Sequence, residues 1–262
     1  MTPSAARRSV TGPGTTVAYR VSGAGDGPAL VLAHGWGCSA ADWDGLIERL
    51  PEGFRAIAVD LPGHGDSATT AEAVSIGSYA ADLAAVLDAE GVTGAVAVGH
   101  SLGGAVVLEL AVRRPELVSR VVGVDTYHYL QVYPAQPQEA IDAFLGGFRT
   151  DRAAAVDELI ALSSLPTTPR AVTDQVRSST LSAQYPLVLS ALEDSLRWDL
   201  DAALAATSAP VAAIVAAELT APAAIERYGD RIAFHPVPGV SHYLLREDPQ
   251  AAADALAVVL DS

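Results

Sequence analysis

The stretch "VAVGHSLGGAVVLELAV", residues 96–112, decides how this chain is read. An apolar, β-branched run enters it and an Ala/Leu/Val-rich run leaves it, with "GHSLGG" between them. The first run predicts a buried strand ending at His100, and the second a helix from Ser101 to about Arg113. A strand that turns sharply into a helix forces the corner residue, Ser101, into strained geometry and needs small residues two before and two after it. Gly99 and Gly103 fill those places. The helix start behind the serine offers free N–H groups and a positive dipole end to any developing oxyanion. A helix-capping role would explain a serine, but the strand–turn–helix context points to a nucleophile.

Outward from this corner, strand-like runs occupy 15–23, 28–35, 54–60, 94–100 and 117–125, with helical patterns over 39–50 and 79–89. From 126 to 206 the patterns are helical, without a convincing strand. Strand-like runs resume at 210–218 and 231–239, and a last helix covers about 249–260. Alternating strands and helices imply an α/β fold with a mostly parallel sheet and helices on both faces. The all-helical stretch is too long for a connection, so we expect a helical cap, 126–206, inserted into a core formed by 1–125 and 207–262. The segment "GAGDGP" (23–28) leads into a strand rather than a helix, so it reads as a turn and not a phosphate-binding loop.

The formal charge of -15 argues against nucleic acid and against an anionic membrane surface. All 16 basic residues are arginine, which excludes lysine chemistry such as a Schiff base. Cys38 is the one cysteine, so neither an internal disulfide nor a cysteine-clustered zinc site can form. The start, "MTPSAARRSVTGPG", has an arginine pair with no apolar run after it, so no secretory signal is expected. No run is long and uncharged enough to span a bilayer, and a cytoplasmic protein is the expectation. Histidine and carboxylate spacings imply no metal, and no cofactor is expected.

Taken together, "LAHGWG" (32–37), "VDLPGHGDS" (59–67), "GHSLGG" (99–104) and "VPGVSHYLLREDP" (237–249) resemble the α/β-hydrolase superfamily over nearly the whole chain outside the cap. The resemblance implies an eight-stranded-type sheet, an oxyanion loop at "HGWG", a nucleophile turn, and a histidine loop near the C-terminus. Ser101 would then be the nucleophile and His242, in "GVSH", its base. The oxyanion hole would use the backbone N–H groups of Leu102 and Trp36. His34 and His64 fit loop-structuring positions, His235 lies in a strand pattern, and His128 begins the cap where it could face a pocket. Cys38 reads as a small buried hydrophobe.

The acid departs from the family pattern. The usual aspartate lies about four residues before a proline, and here "IVAAELTAP" puts Glu218 four before Pro222, at the cost of a one-residue deletion. The rival is Asp125 in "GVDTYH", a position some members use. The spacing to Pro222 favours Glu218. Function is expected to be hydrolysis of an ester, thioester, lactone or related acyl bond in a small to medium, mostly apolar molecule. Perhydrolase and carbon–carbon hydrolase chemistry share these motifs, and a ligand-binding receptor on the same scaffold is the alternative. Tyr127, Tyr129, Tyr133 and Trp198, at the cap edges, are expected to shape the pocket.

Overall fold

Along the central strands, alternate residues feed two separate cores, as a period of two requires. Val31, Ile57, Ala97, Val121 and Ala213 belong to one apolar cluster, and Leu32, Ala58, Val98, Val122 and Ile214 to the other. Strands buried on both faces must be apolar throughout, which is why their sequences are unbroken hydrophobic runs. In this computed structural model, which describes residues 6–12, 14–23 and 27–262, the strands are β1 (Ala6–Gly12), β2 (Thr15–Ser22), β3 (Ala29–Ala33), β4 (Arg55–Val59), β5 (Ala68–Thr69), β6 (Ala95–His100), β7 (Val118–Val124), β8 (Val211–Ala216) and β9 (Ala233–Val237). They form one sheet in the order β1-β2-β4-β3-β6-β7-β8-β9, with β5 paired to β2. Pairing is antiparallel among β1, β2, β4 and β5 and parallel from β4 through β9.

One face carries α2 (Ile76–Ala89) and α3 (Leu102–Arg113), after a short α1 (Asp44–Ile47) on the other face. Between β7 and β8 run α4 (Gln138–Thr150), α5 (Arg152–Leu162), α6 (Arg170–Ser182), α7 (Leu187–Arg197) and α8 (Leu200–Ala206). The chain closes with α9 (Pro222–Tyr228), α10 (Leu244–Glu247) and α11 (Pro249–Asp261), which covers the α1 face. Strand β1 has no counterpart among the sequence expectations. Its "ARRSVTG" is solvent-exposed at all but Val10, so an edge strand of this kind carries no hydrophobic alternation to read. Half of the expected turn at 23–28, residues 24–26, lies outside the described residues.

Helix α3 is buried on nearly every side, because β6, β7, α2 and α8 surround it. That burial explains an apolar pattern with almost no polar face. Its start lies at the carboxyl ends of β3, β6 and β7, the edge of a parallel sheet where side chains from several strands converge.

Candidate active site

Ser101 stands at the corner between β6 and α3 with φ 51° and ψ -119°, and its side chain makes no capping hydrogen bond. Positive φ on a serine costs about 1–3 kcal/mol and persists only where its surroundings impose it. They do so here. A Cβ on Gly99 would lie 2.1 Å from the carbonyl oxygen of Gly103, and one on Gly103 would lie 2.2 Å from that of Ala33. The Ser101 N–H is held by the Val124 carbonyl of the neighbouring strand at 3.0 Å. The hydroxyl is therefore left free while the backbone is locked.

His242 follows β9 in a loop braced from three sides. Its backbone N–H donates to Ser163 O at 3.1 Å, at the end of α5, and its carbonyl oxygen faces His100 Nε2 at 2.9 Å. Ser241 donates from N–H and hydroxyl to Glu247, at 2.7 and 2.5 Å. His242 Nδ1 lies 2.6 Å from Asp125 Oδ2. A carboxylate at Nδ1 fixes the proton there and leaves Nε2 with its lone pair.

Asp125 is fully buried at the end of β7 with φ 46°. Its Oδ1 accepts the Ala216 N–H at 2.7 Å, and its Oδ2 accepts the Tyr129 hydroxyl at 2.5 Å as well as the imidazole. Burial pushes this carboxyl up, but the hydrogen bonds it receives from His242 and the Tyr129 hydroxyl outweigh it and hold the group well below the usual carboxylate range.

The structure sets Glu218, which the spacing to Pro222 favours, apart from the imidazole. Strand β8 rolls into a single helical turn at Ala217–Leu219 that carries Glu218 to the surface. Its carboxylate accepts the Gly239 N–H at 3.0 and 3.2 Å, and the carboxylate at His242 Nδ1 is that of Asp125. The turn, not the sequence distance to Pro222, sets the direction of the Glu218 side chain.

Trp36 and Leu102 line the same cavity as Ser101 and His242. Leu102 is the first residue of α3, so its N–H has no partner within the helix. The loop carrying Trp36 is pinned at several points. Cys38 N–H bonds Gly35 O at 3.2 Å, Gly37 N–H bonds His64 Nε2 at 3.1 Å, and Trp36 Nε1 donates to Val188 O of α7 at 2.7 Å. His34 completes the brace, accepting the Leu61 N–H at 3.0 Å. His34 and His64 thus structure loops, and His235 lies in β9.

His128 does not line the cavity. It sits behind the acid, with Nε2 3.6 Å from Asp125 Oδ1. Burial keeps the Cys38 thiol protonated, raising it far above its ordinary value. Of the four aromatics expected at the pocket, Tyr129 and Tyr133 line it. Tyr127 is instead fully buried and donates to Gly104 O at 2.6 Å, while Trp198 Nε1 reaches Glu109 at 3.0 Å. Those two tie the segment between β7 and β8 to α3. Sequence reasoning missed that the Tyr129 hydroxyl reaches Asp125. The sole hint was a phenol four residues beyond a strand-terminal aspartate.

The cavity measures about 190 Å³, with walls that include Val132, Phe144, Val156, Ile160, Leu192 and Leu196. No arginine lines it among the described residues. His100, at its floor, is pushed down to about 4, chiefly by burial and then by the charge of His242. Among the described residues no three metal-ligating side chains gather, and no helix is long and apolar enough to cross a membrane.

Comparison with known proteins bears on this geometry. A 32% identical stretch of 170 residues, 62% of this chain and 63% of the relative, aligns with a pimeloyl-[acyl-carrier protein] methyl ester esterase of Vibrio campbellii. A bifunctional esterase/perhydrolase of Acinetobacter calcoaceticus is 42% identical over 103 residues, 39% of this chain and 37% of that one. The chain spans 30% of the length of one such curated relative and 63% of another, less than two thirds in either case. Among solved structures, a hydrolase from Pseudomonas aeruginosa superposes with a TM-score of 0.82 at 26% identity, covering 98% of both chains. The family model described as alpha/beta hydrolase fold matches residues 28–186, more than half of the sequence. A strained serine between strand and helix, on a mostly parallel sheet, is thus joined by sequence likeness, and the chain belongs to the α/β-hydrolase family.

Proposed function

We propose that this protein is a serine hydrolase that cleaves an uncharged, small and mostly apolar ester, thioester or lactone through an acyl-enzyme on Ser101. The observation that carries the reading is that a strained, uncapped serine shares one cavity with an imidazole whose Nδ1 is held by a buried carboxylate. In the proposed reaction His242 Nε2 takes the Ser101 proton as Oγ attacks the acyl carbonyl. The oxyanion is received by the N–H groups of Leu102 and Trp36, each typically worth about 3–4 kcal/mol in the transition state. Collapse expels the alcohol, thiol or ring oxygen with the proton from His242. Water then attacks the acyl-enzyme by the reverse route, and Asp125 steadies the imidazolium in both halves.

The lining supports the substrate class. All basic residues of the chain are arginine, and none among the described residues faces the cavity. A substrate carboxylate would enter without a fixed cation to replace its hydration, an arrangement that costs several kcal/mol. The apolar walls suit a short acyl chain or ring. Neutral p-nitrophenyl esters of two to eight carbons should be turned over, and the monosuccinate ester should be turned over far more slowly. A fluorophosphonate probe should label Ser101, and Ser101→Ala should lose labelling together with about 10⁴–10⁶ in kcat. Turnover that survives in Ser101→Ala would overturn the reading.

A further inference from the structure

The acid of this site has two suitors on one oxygen. Asp125 Oδ2 lies 2.5 Å from the Tyr129 hydroxyl and 2.6 Å from His242 Nδ1, and the hydroxyl and the ring nitrogen are themselves 3.2 Å apart. Only one proton arrangement satisfies all three atoms. The ionised carboxylate has no proton to give, so the Tyr129 O–H and the imidazole Nδ1–H both donate into Oδ2. Burial, and then the neighbouring negative charge of Asp125, push the phenol far above its ordinary value, so it stays protonated as a donor.

We propose that Tyr129 is a positioning residue that sets the basicity of His242, by withdrawing negative charge from the Asp125 oxygen on which the imidazolium depends. This inference rests on the serine-hydrolase reading. It goes beyond that reading because the three-residue machinery accounts for catalysis without a phenol. A charge-assisted hydrogen bond on Oδ2 weakens the pull of Asp125 on the imidazolium and makes His242 easier to deprotonate. The other titratable groups facing the pair are His128 behind Asp125 Oδ1, His100 with its ring centroid 4.8 Å from that of His242, and Tyr243 at 5.5 Å. His128 and His100 are held neutral chiefly by burial, and the Tyr243 phenol is pushed far above its ordinary range by burial, so none of them supplies a competing charge near neutrality. Tyr129 also lines the cavity, which ties the wall touched by substrate directly to the acid.

The test is the pH profile of kcat/KM with a neutral p-nitrophenyl ester. Tyr129→Phe keeps the ring and removes the donor. It should move the acid limb to higher pH by about one unit, the scale of a charge-assisted hydrogen bond divided between the two protonation states. The most downfield imidazole N–H proton resonance should move as well. Replacing Tyr129 with 3-fluorotyrosine, a stronger donor that keeps the wall, should move the limb the opposite way and remains informative if Tyr129→Phe folds poorly. An acid limb unmoved in both variants, at unchanged fluorophosphonate labelling, would overturn the proposal while leaving the hydrolase reading intact. Loss of labelling in Ser101→Ala is the separate check on that reading.

Discussion

Two carboxylates follow adjacent parallel strands of this sheet, and each touches the segment that delivers His242. Asp125, one residue past β7, is fully buried and spends both oxygens on donors: a backbone N–H, a phenol and the imidazole. Glu218, two residues past β8, is exposed and accepts a single backbone N–H, that of Gly239. The difference teaches that reach is not what brings a carboxylate to His242, since glutamate is the longer side chain. What brings it there is the direction in which the chain leaves the strand. Asp125 adopts positive φ and turns its side chain across the end of β8, where the Ala216 N–H is waiting. After β8 the chain closes a tight helical turn, sealed by the Thr220 hydroxyl on Ala216 O at 2.8 Å, and Glu218 points away.

The most severe way to break this comparison is to neutralise the buried member. Asp125→Asn keeps the shape but presents an amide to His242 Nδ1, which favours the wrong tautomer, and kcat should fall by about 10⁴ with the fold retained. Steady-state kinetics beside circular dichroism decide it. A wild-type kcat in Asp125→Asn would return the role to another carboxylate.

A second test uses pH. The Asp125 neighbourhood includes His100, whose ordinary value of 6.5 is pushed down to about 4 in the folded protein by burial. Between those values the unfolded chain binds the proton and the folded one does not, so stability falls as pH drops through that window. Asp125 acts in the same direction lower down, because its native carboxyl is held below the ordinary carboxylate range and protonates first in the unfolded chain. Calorimetric melting temperatures should decline steadily below about pH 6.5, and His100→Gln should flatten the decline. A melting temperature that is flat from neutrality to pH 4 contradicts the assignment of a buried, neutral imidazole.

The smallest effect belongs to the exposed member. Glu218→Gln retains an acceptor for the Gly239 N–H and removes a charge open to solvent. Activity should stay within about threefold of wild type and stability within about 0.5 kcal/mol. Urea midpoints and kcat/KM measure both. A collapse of activity comparable to that of Asp125→Asn would mean that Gly239, and through it the His242 loop, depends on the charge of Glu218.

Much of this architecture was legible before any coordinates. The central strands announce themselves as apolar runs because both faces of a parallel sheet are covered, and the helices by their three- and four-residue spacing. The corner at Ser101 was legible for a steric reason, since the approach of residue 99 to the Gly103 oxygen excludes any side chain. Strand β1 was not, because an exposed edge strand has no core-facing pattern to display.

The meeting of Asp125, His242 and the Tyr129 phenol belongs to the tertiary structure alone. Asp125 meets His242 across 117 residues of chain and Ala216 across 91. Those meetings are fixed by the register that sets Val124 opposite Ile214 and by the turns that end two strands. No local pattern encodes them, because a one-residue change in where a turn begins rotates a side chain from the buried imidazole to solvent. Sequence determined which residues could supply the chemistry, through steric and hydrophobic rules that act within a few residues. Tertiary structure decided which carboxylate stands at His242, because a hydrogen bond between side chains depends on their three-dimensional direction and not on their distance along the chain.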